Sequence, residues 1–437
     1  MNYTEKIITV AQALAMVKSN DVIVTGLASA EAKEFLENLH TISDKVENVS
    51  VTTCLPMAYA EYFQNKDYAN SFSMNGWFYT GPMRKAQANG NITFIPNHLH
   101  SAAVKRLAYE RPNIYVGNAT PPDKHGYLSL SLSNVYEKRM IAEADLVILE
   151  INPKLPRTFG DMEIHVDEID YLIKVNYDVP TLPDVEPNEK DMIIGKLIAE
   201  YISDGDCLQL GIGGIPNAVT AALLTKKDLG VHTEMLTTGM MKLAKAGVIN
   251  GSKKNLYKGK MVCTFALGTR ELYEFMDDNP SIVVRDGNWV NDPYVIGLND
   301  NQISINTTIE VDLTGQCASE SIGTTQYSGT GGQADTAIGA QRSKDGKSFI
   351  ALYSTTFIKD KLTGERKEIS KIVPMLNRGA AVSLSRNDVD YVVTEYGVAA
   401  LRGTSVQERV LKLIDIAHPK FRNHLLSEAQ KIGYIKD

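Results

Sequence analysis

Short apolar runs alternate with amphipathic helical patterns along the whole chain, and this alternation constrains the fold more than any other feature. Runs of this length and composition predict buried strands. Strands separated by helices form mostly parallel sheets with helices on their faces, so the sequence predicts the α/β class. Ligands of such sheets bind beyond the carboxyl ends of the strands. The predicted strands are 22–25, 49–53, 92–95, 145–149, 207–210, 281–284 and 391–394.

A proline-rich stretch divides the chain near its middle. The chain has 437 residues, and single cores stop growing at about 250–300 residues, so two domains are expected. Pro180, Pro183 and Pro187 cannot continue a helix or a central strand. We predict an N-terminal α/β domain over 1–179, a linker over 180–187 and a C-terminal α/β domain over 188–437.

The two halves follow the same local pattern of aspartate, apolar strand, glycine and helix. When Asp21 is aligned with Asp206, Gly26 aligns with Gly211. This correspondence predicts two related open, mostly parallel α/β/α units, one in each half of the chain.

Composition narrows the choice of partners and compartment. The formal net charge is −7, which argues against nucleic acid or an anionic membrane as the main partner. The four cysteines are scattered singly, as expected in a reducing compartment. The N-terminus has no signal-peptide pattern and no run of about 18 apolar residues occurs. We therefore expect a cytoplasmic protein.

A glycine-rich loop follows the predicted strand 207–210. It comprises Gly211, Ile212, Gly213, Gly214 and Ile215, and Pro216 fits the first turn of the helix that follows. Backbone N–H groups approach a ligand closely at such a junction, and the helix N-terminus adds partial positive charge. The loop could bind a pyrophosphate or stabilise an oxyanion, or it could be a purely structural turn.

A second candidate segment, 230–236, is interpreted as a short strand with Glu234 near its end. A carboxylate there is costly unless it is paired or used in chemistry. His232, two residues earlier, is interpreted as a packing residue. The G-x-G pattern followed by an acid also resembles a dinucleotide-binding fingerprint, but Pro216 replaces the third glycine. An NAD-dependent oxidoreductase is therefore a remote alternative.

A third candidate segment, 327–335, has the sequence YSGTGGQAD and no periodicity. Gly331 and Gly332 could present several N–H groups to one atom as an oxyanion hole, or the segment could be an exposed flexible loop. The chain lacks the serine-hydrolase elbow, the nucleotide-binding phosphate loop and the zinc-protease helix motif.

Taken together in order, these segments resemble the acetyl-CoA hydrolase/transferase family, which includes 4-hydroxybutyrate and butyryl-CoA:acetate CoA-transferases. The resemblance covers nearly the whole chain. The motifs that carry it are FIPNHL (94–99), DKHGYLS (123–129), PRTFG (156–160) with IHV (164–166), GIGGIPNAV (211–219), HTEM (232–235), EVDLTGQ (310–316), SGTGGQ (328–333) and TEYG (394–397).

The resemblance implies roles for particular residues. Glu234 matches the covalent nucleophile of the family, and the loop from Gly211 to Ile215 matches its coenzyme A segment. Gly331 and Gly332 match the loop that stabilises the oxyanion and contacts coenzyme A, and Asn306 falls in a segment that borders coenzyme A. The family commonly has Ser-Asp-Gly after the Glu-Met pair, whereas this chain has TTG at 237–239. The family also has an aromatic residue at the position of Thr336.

The implied activity is transfer of coenzyme A between a short-chain acyl-CoA (butyryl-, 4-hydroxybutyryl- or acetyl-CoA) and a carboxylate such as acetate. The expected route is ping-pong, through a glutamyl-CoA thioester. Coenzyme A is then a substrate, with no permanently bound cofactor or metal, and a homodimer is implied. An acyl-CoA hydrolase using the same glutamate and a non-catalytic acyl-CoA sensor are the alternatives.

Overall fold

The computed structural model describes residues 3–57, 60–359 and 364–436. Two eight-stranded sheets dominate the fold, one in each half of the chain. The expected α/β class with mostly parallel sheets is confirmed.

The N-terminal sheet is parallel throughout. Its strand order is β1-β10-β8-β6-β2-β3-β4-β5, and β7 and β9 form a small antiparallel pair beside it. The strands of this half are β1 (Ile7–Ile8), β2 (Val22–Thr25), β3 (Val49–Thr53), β4 (Phe72–Gly76), β5 (Ile92–Phe94), β6 (Ile114–Ala119), β7 (Tyr127–Ser129), β8 (Leu146–Ile151), β9 (Glu163–His165) and β10 (Tyr171–Lys174).

Helices connect these parallel strands. Thr9 begins the first helix through a capping box with Gln12, which satisfies backbone donors that the first turn leaves free. The helices are α1 (Val10–Leu14), α2 (Lys33–Asn38), α3 (Glu61–Gln64), α4 (Gly81–Ala86), α5 (Ala102–Tyr109) and α6 (Glu137–Glu143).

The C-terminal sheet has the order β16-β14-β12-β11-β17-β22-β26-β27 and is parallel except for the β26–β27 pair. The strands of this half are β11 (Cys207–Leu210), β12 (Gly230–His232), β13 (Met235–Leu236), β14 (Met261–Cys263), β15 (Phe265–Ala266), β16 (Ile282–Val284), β17 (Gln302–Thr307), β18 (Glu310–Asp312), β19 (Cys317–Ala318), β20 (Ser321–Ile322), β21 (Thr325–Gln326), β22 (Lys347–Ala351), β23 (Thr355–Lys359), β24 (Arg366–Ser370), β25 (Ile372–Val373), β26 (Tyr391–Thr394) and β27 (Gly397–Ala400).

The first helix of this half follows the predicted linker, which contains no helix or strand. Asn188 caps it through a capping box with Asp191. The helices are α7 (Glu189–Ala199), α8 (Gly214–Ala222), α9 (Thr238–Lys245), α10 (Arg270–Met276), α11 (Gly287–Val290), α12 (Pro293–Ile296), α13 (Gln333–Arg342), α14 (Val406–Asp415) and α15 (Pro419–Ile432). Within the described residues, no helix combines the length and apolar character needed to cross a bilayer.

The two sheets have the same topology. Read outward from β2, the N-terminal order β5-β4-β3-β2-β6-β8-β10 matches the C-terminal order β16-β14-β12-β11-β17-β22-β26. The expectation of two related units is confirmed, and Asp21 and Asp206 precede equivalent strands. The end of β3, at Cys54, is therefore equivalent to the end of β12, close to Glu234.

One predicted strand is different in the structure. The segment 230–236 is not continuous, because β12 ends at His232 and β13 begins at Met235. β12 pairs with β14 in the large sheet, whereas β13 pairs with β15 outside it. The break leaves Thr233 and Glu234 between two strands rather than within one.

A continuous apolar core joins the two halves. Its largest cluster contains strand residues of both sheets, such as Val24 and Leu149 with Leu208 and Ile303. Two smaller clusters lie under the outer helices of each half. The loops that follow the strands between the two sheets therefore rest on closely packed apolar side chains.

Candidate active site

Glu234 lies in the break between β12 and β13. The backbone N–H groups of Thr264 and Phe265 both donate to its carbonyl oxygen, at 3.0 and 3.1 Å. These bonds fix the Glu234 backbone against the neighbouring strand end, so that its side chain projects from a rigid position.

The Glu234 carboxylate is held by two donors. Asn291 Nδ2 donates to Oε2 at 2.8 Å, and the backbone N–H of Gly332 also hydrogen-bonds to the carboxylate. Burial, reinforced by the nearby charge of Asp335, raises the pKa of Glu234 to about 7 despite these donors. A carboxylate in a poorly hydrated site is a better nucleophile than one in water.

The glycine loop lies directly against this carboxylate. A Cβ at Gly332 would overlap the Glu234 carboxylate and the Asn291 amide, and Gly331 has a φ of +53°. Both positions therefore require glycine. The expectation that this loop meets Glu234 agrees with the geometry.

The loop is attached to the N-terminal half. Leu99 N–H donates to Gly331 O at 3.0 Å and Tyr79 N–H donates to Ser328 O at 3.2 Å. The alternative of a flexible exposed loop does not fit these contacts, which place the loop between the two halves.

A cavity of about 220 Å³ surrounds Glu234. Six of the nine predicted site residues line it, namely Gly211, Ile212, Glu234, Asn306, Gly331 and Gly332. Four separate segments of the sequence (211–212, 234, 306 and 331–332) therefore meet at one site.

The remaining predicted residues, Gly213, Gly214 and Ile215, line a neighbouring cavity of about 260 Å³. The two cavities share Ile212 and Thr307, so they adjoin. Lys371 lies in the second cavity, where burial lowers its pKa to about 8. Helix α8 begins at Gly214, so its N-terminus points a partial positive charge toward the same space.

Asn306 lies near the end of β17 and its amide is fixed by neighbours. Nδ2 donates to Thr336 Oγ1 at 3.0 Å and to Ser304 Oγ at 3.1 Å. Thr336, one of the departures from the family pattern, thus supports a cavity residue instead of lining the cavity.

The N-terminal half supplies a wall of the cavity that the sequence did not reveal. The wall comprises Leu27, Cys54, Leu55, Phe78 and Leu99. Leu27 and Cys54 follow β2 and β3, and Phe78 follows β4. The rule that ligands bind beyond the carboxyl ends of parallel strands was the available signal for these positions.

His232 is buried, and burial lowers its pKa to about 3, so its ring is neutral. Nε2 donates to the carbonyl of Val290 at 2.9 Å, immediately before Asn291. His232 therefore packs, as expected, but it also supports the residue that holds Glu234.

His100 links the N-terminal half to the region of Glu234. His100 Nδ1 donates to Asp335 Oδ1 at 2.7 Å, and this hydrogen bond raises the pKa of His100. Glu395 also follows a strand, β26, but has separate hydrogen-bond partners: Lys190 at 2.8 Å and Ser354.

Comparison with known proteins agrees with this arrangement. Residues 1–183 match the N-terminal domain and residues 268–429 the C-terminal domain of the acetyl-CoA hydrolase/transferase family. The chain is 42% identical over 435 residues to the succinyl-CoA:cyclohexane-1-carboxylate CoA transferase of Geobacter metallireducens, covering 99% of this chain and 97% of the relative. It is 41% identical over 433 residues to the 4-hydroxybutyrate coenzyme A transferase of Clostridium kluyveri, covering 98% of each.

A solved structure has the same overall fold. RipA from Yersinia pestis superposes with a TM-score of 0.90 at 32% sequence identity, covering 99% of both chains.

The chain belongs to the acetyl-CoA hydrolase/transferase family. The resemblance inferred from the sequence motifs and the expectation of an enzyme of the CoA-transferase class are thereby confirmed. Family membership favours this class over the dehydrogenase alternative.

Proposed function

We propose that the protein transfers coenzyme A between a short-chain acyl-CoA and a free carboxylate, with Glu234 as the covalent carrier. The observation that carries the proposal is the carboxylate of Glu234, held by Asn291 and Gly332 inside a cavity between the two halves. The names of the relatives, several of which are CoA transferases of small acids, support the same reaction.

The first half of the reaction begins with attack of Glu234 Oε1 on the acyl-CoA carbonyl carbon. The C–S bond breaks, coenzyme A leaves as a thiolate, and an acyl-glutamyl anhydride remains. Asn291 holds Oε2, so Oε1 is the oxygen left to attack.

The thiolate then attacks the glutamyl carbonyl carbon of the anhydride. Negative charge develops on Oε2, to which Asn291 Nδ2–H already donates, and Gly332 N–H hydrogen-bonds to the same carboxylate. One such donor contributes about 2.7–4 kcal/mol in enzymes. The first carboxylic acid leaves as its anion and a glutamyl-CoA thioester forms. An incoming carboxylate reverses these steps, so that one thioester is exchanged for another.

The adjoining cavity is suited to the anionic part of coenzyme A. Gly213, Gly214 and Ile215 present the N-terminus of α8, and Lys371 supplies a cation on the same side. We propose that Gly211, Ile212 and Asn306 contact the thiol-bearing arm where the two cavities meet.

An acyl-exchange assay tests the proposal. Purified enzyme is mixed with butyryl-CoA and labelled acetate, and acetyl-CoA formation is followed for wild type, Glu234→Gln and Glu395→Gln. We expect Glu234→Gln to lose about 10³-fold or more of the activity. Glu395→Gln is the comparison at the other strand-end glutamate: its carboxylate binds Lys190 and Ser354 and acts on Lys371 in the second cavity, so we expect a loss far smaller than that of Glu234→Gln.

Two results would contradict the proposal. Retention of exchange in Glu234→Gln would place the nucleophile elsewhere. Release of coenzyme A at the same rate with and without a carboxylate acceptor would identify the hydrolase alternative. Homodimeric assembly and a cytoplasmic location stay predictions, as does the role of coenzyme A as a substrate rather than a permanently bound cofactor.

A further inference from the structure

His100 joins the N-terminal half of the chain to two separate segments of the C-terminal half. It lies in the short turn Leu99–Ser101, which precedes α5. Its backbone N–H donates to Asp335 Oδ2 at 3.1 Å, and its ring Nδ1 donates to Asp335 Oδ1 at 2.7 Å. Its carbonyl oxygen accepts from Asn288 Nδ2 at 2.8 Å. One residue thus holds two elements that are distant from it in the sequence.

Asp335 connects His100 to the glycine loop. It lies in the first turn of α13, three residues after Gly332, whose N–H hydrogen-bonds to the Glu234 carboxylate. The Asp335 side chain is only 2% exposed, and a buried carboxylate is costly without donors. His100 supplies a donor to each of its two oxygens. The start of α13, and Gly332 with it, is therefore fixed by His100.

Asn288 connects His100 to the other donor of the site. It lies in α11, three residues before Asn291, whose amide donates to Glu234 Oε2. Arg139 Nη2 donates to Asn288 Oδ1 at 3.2 Å, which orients the Asn288 amide with Nδ2 toward the His100 carbonyl. The two groups that donate to the Glu234 carboxylate are therefore each three residues away from a contact of His100.

The same contact brings a titratable cation near the nucleophile. The charge of Asp335 raises the pKa of Glu234, and an imidazolium at His100 offsets part of that charge. The hydrogen bond to Asp335 raises the pKa of His100, and burial, which acts in the opposite direction, is outweighed. Among the described residues, the other titratable side chains that face the His100 ring are those of Asp292, Lys105 and His98.

We propose that His100 is a positioning residue of the transfer reaction: it fixes both donors of the Glu234 carboxylate, and as an imidazolium it offsets the charge of Asp335 beside that carboxylate. The inference rests on the proposed function and adds a residue of the N-terminal half that sets its nucleophile. His100 is not among the residues that line the cavity. It therefore acts through Asp335 and Asn288 rather than on the substrate.

Two substitutions at this position separate its hydrogen bonds from its charge. Exchange between butyryl-CoA and labelled acetate is measured across the acid limb of the pH–rate profile, where Glu234 becomes protonated. His100→Gln keeps an amide donor for Asp335 but carries no charge. Its limb should move to higher pH by about 0.5 unit or more, with kcat above the limb within about threefold of the wild type. His100→Leu has no side-chain donor, so kcat above the limb should fall about tenfold or more.

The partner of His100 supplies a matching test. Asp335→Asn removes the negative charge, so its limb should move to lower pH, opposite to that of His100→Gln. Loss of the hydrogen bond alone would affect both variants alike, because both weaken the same contact. If His100→Leu does not fold, these opposite shifts decide. His98→Gln is the control: His98 is exposed and its ring stacks on that of His100, but the substitution leaves the His100–Asp335 pair in place, and the limb should not move.

The failures are distinguishable. An unchanged limb in His100→Gln, or shifts of the same sign in His100→Gln and Asp335→Asn, would overturn the inference. An equal shift in His98→Gln would also overturn it, since the His100–Asp335 pair would then not be the cause. In each case an inactive Glu234→Gln variant leaves the proposed function intact. Retention of exchange in Glu234→Gln would overturn the proposed function and the inference with it.

Discussion

Asn291 Nδ2 donates to Glu234 Oε2 at 2.8 Å, although the two residues are 57 positions apart in the sequence. The carbonyl just before Asn291 accepts from His232 Nε2, and His232 ends the strand that leads to Glu234. The strand that delivers the carboxylate therefore also fixes the amide that holds it.

Activity should depend on pH through the ionisation of Glu234. The pKa of Glu234 is raised from 4.5 to about 7 by burial and by the charge of Asp335, so the attacking carboxylate forms as the pH rises through about 7. We expect kcat/KM for acyl-CoA to show an acid limb near pH 7.

Asp335→Asn should move that limb to lower pH, because it removes a charge that raises the pKa of Glu234. Asp415→Asn, at an exposed position, is the control and should not move it. A wild-type limb near pH 4.5, or an upward shift in Asp335→Asn, would contradict this account.

The same pKa shift has a consequence for stability. A carboxyl group whose pKa is raised in the folded protein destabilises the fold once it ionises, and the penalty disappears below its unfolded pKa. Glu234→Gln should therefore be more stable than wild type by about 3 kcal/mol at pH 8, the size of the shift from 4.5 to about 7, and equal to it near pH 4. Urea unfolding at the two pH values measures the difference in the free energy of unfolding. Equal stabilities at pH 8 would contradict the expectation that the ionised Glu234 carboxylate destabilises the fold.

Gly332→Ala should inactivate the enzyme while leaving most of the fold intact. The added Cβ would overlap the Glu234 carboxylate and the Asn291 amide, so the nucleophile must move. We expect a loss of about 10²-fold or more in kcat, since small displacements of reacting groups have effects of this size. Gly81→Ala is the control, because its nearest new contact is an ordinary 3.8 Å. Equal activities of the two variants would show that the loop does not position Glu234.

His232 should act as a positioning residue. His232→Gln keeps a donor toward Val290 O, whereas His232→Leu removes it and frees the segment that carries Asn291. Because the Asn291 hydrogen bond lowers the pKa of Glu234, its loss in His232→Leu should shift the acid limb to higher pH and reduce kcat about tenfold or more.

Rescue by the conservative variant separates this role from packing. His232→Gln should keep the acid limb of the wild type even if both variants unfold more easily. If the acid limb of His232→Leu lies at the same pH as that of the wild type, His232 acts only through packing.

Much of the framework was predictable from local sequence. The strands Val22–Thr25, Val49–Thr53, Cys207–Leu210 and Tyr391–Thr394 have the predicted ends, because fully buried parallel strands are short apolar runs with polar or glycine boundaries. Asn188 begins α7 as expected, because its capping box with Asp191 is a local interaction.

The less predictable parts depend on contacts between distant segments. The segment 230–236 has the apolar pattern of a single strand, yet Met235 pairs with β15 and not with a strand of the large sheet. Asn291 follows a four-residue helix and has no local signature of a site. The wall at Leu55 and Phe78 is defined only when the two halves of the chain come together.

The most direct test of the account is to trap the intermediate on Glu234. Wild type and Glu234→Gln are incubated with butyryl-CoA without an acceptor acid and treated with borohydride, and the peptide that contains position 234 is analysed by mass spectrometry. We predict a coenzyme A thioester on wild-type Glu234 that borohydride reduces to an alcohol, with loss of activity, and no modification of the Gln variant. An unmodified Glu234 peptide from an enzyme that still catalyses exchange would contradict the central claim.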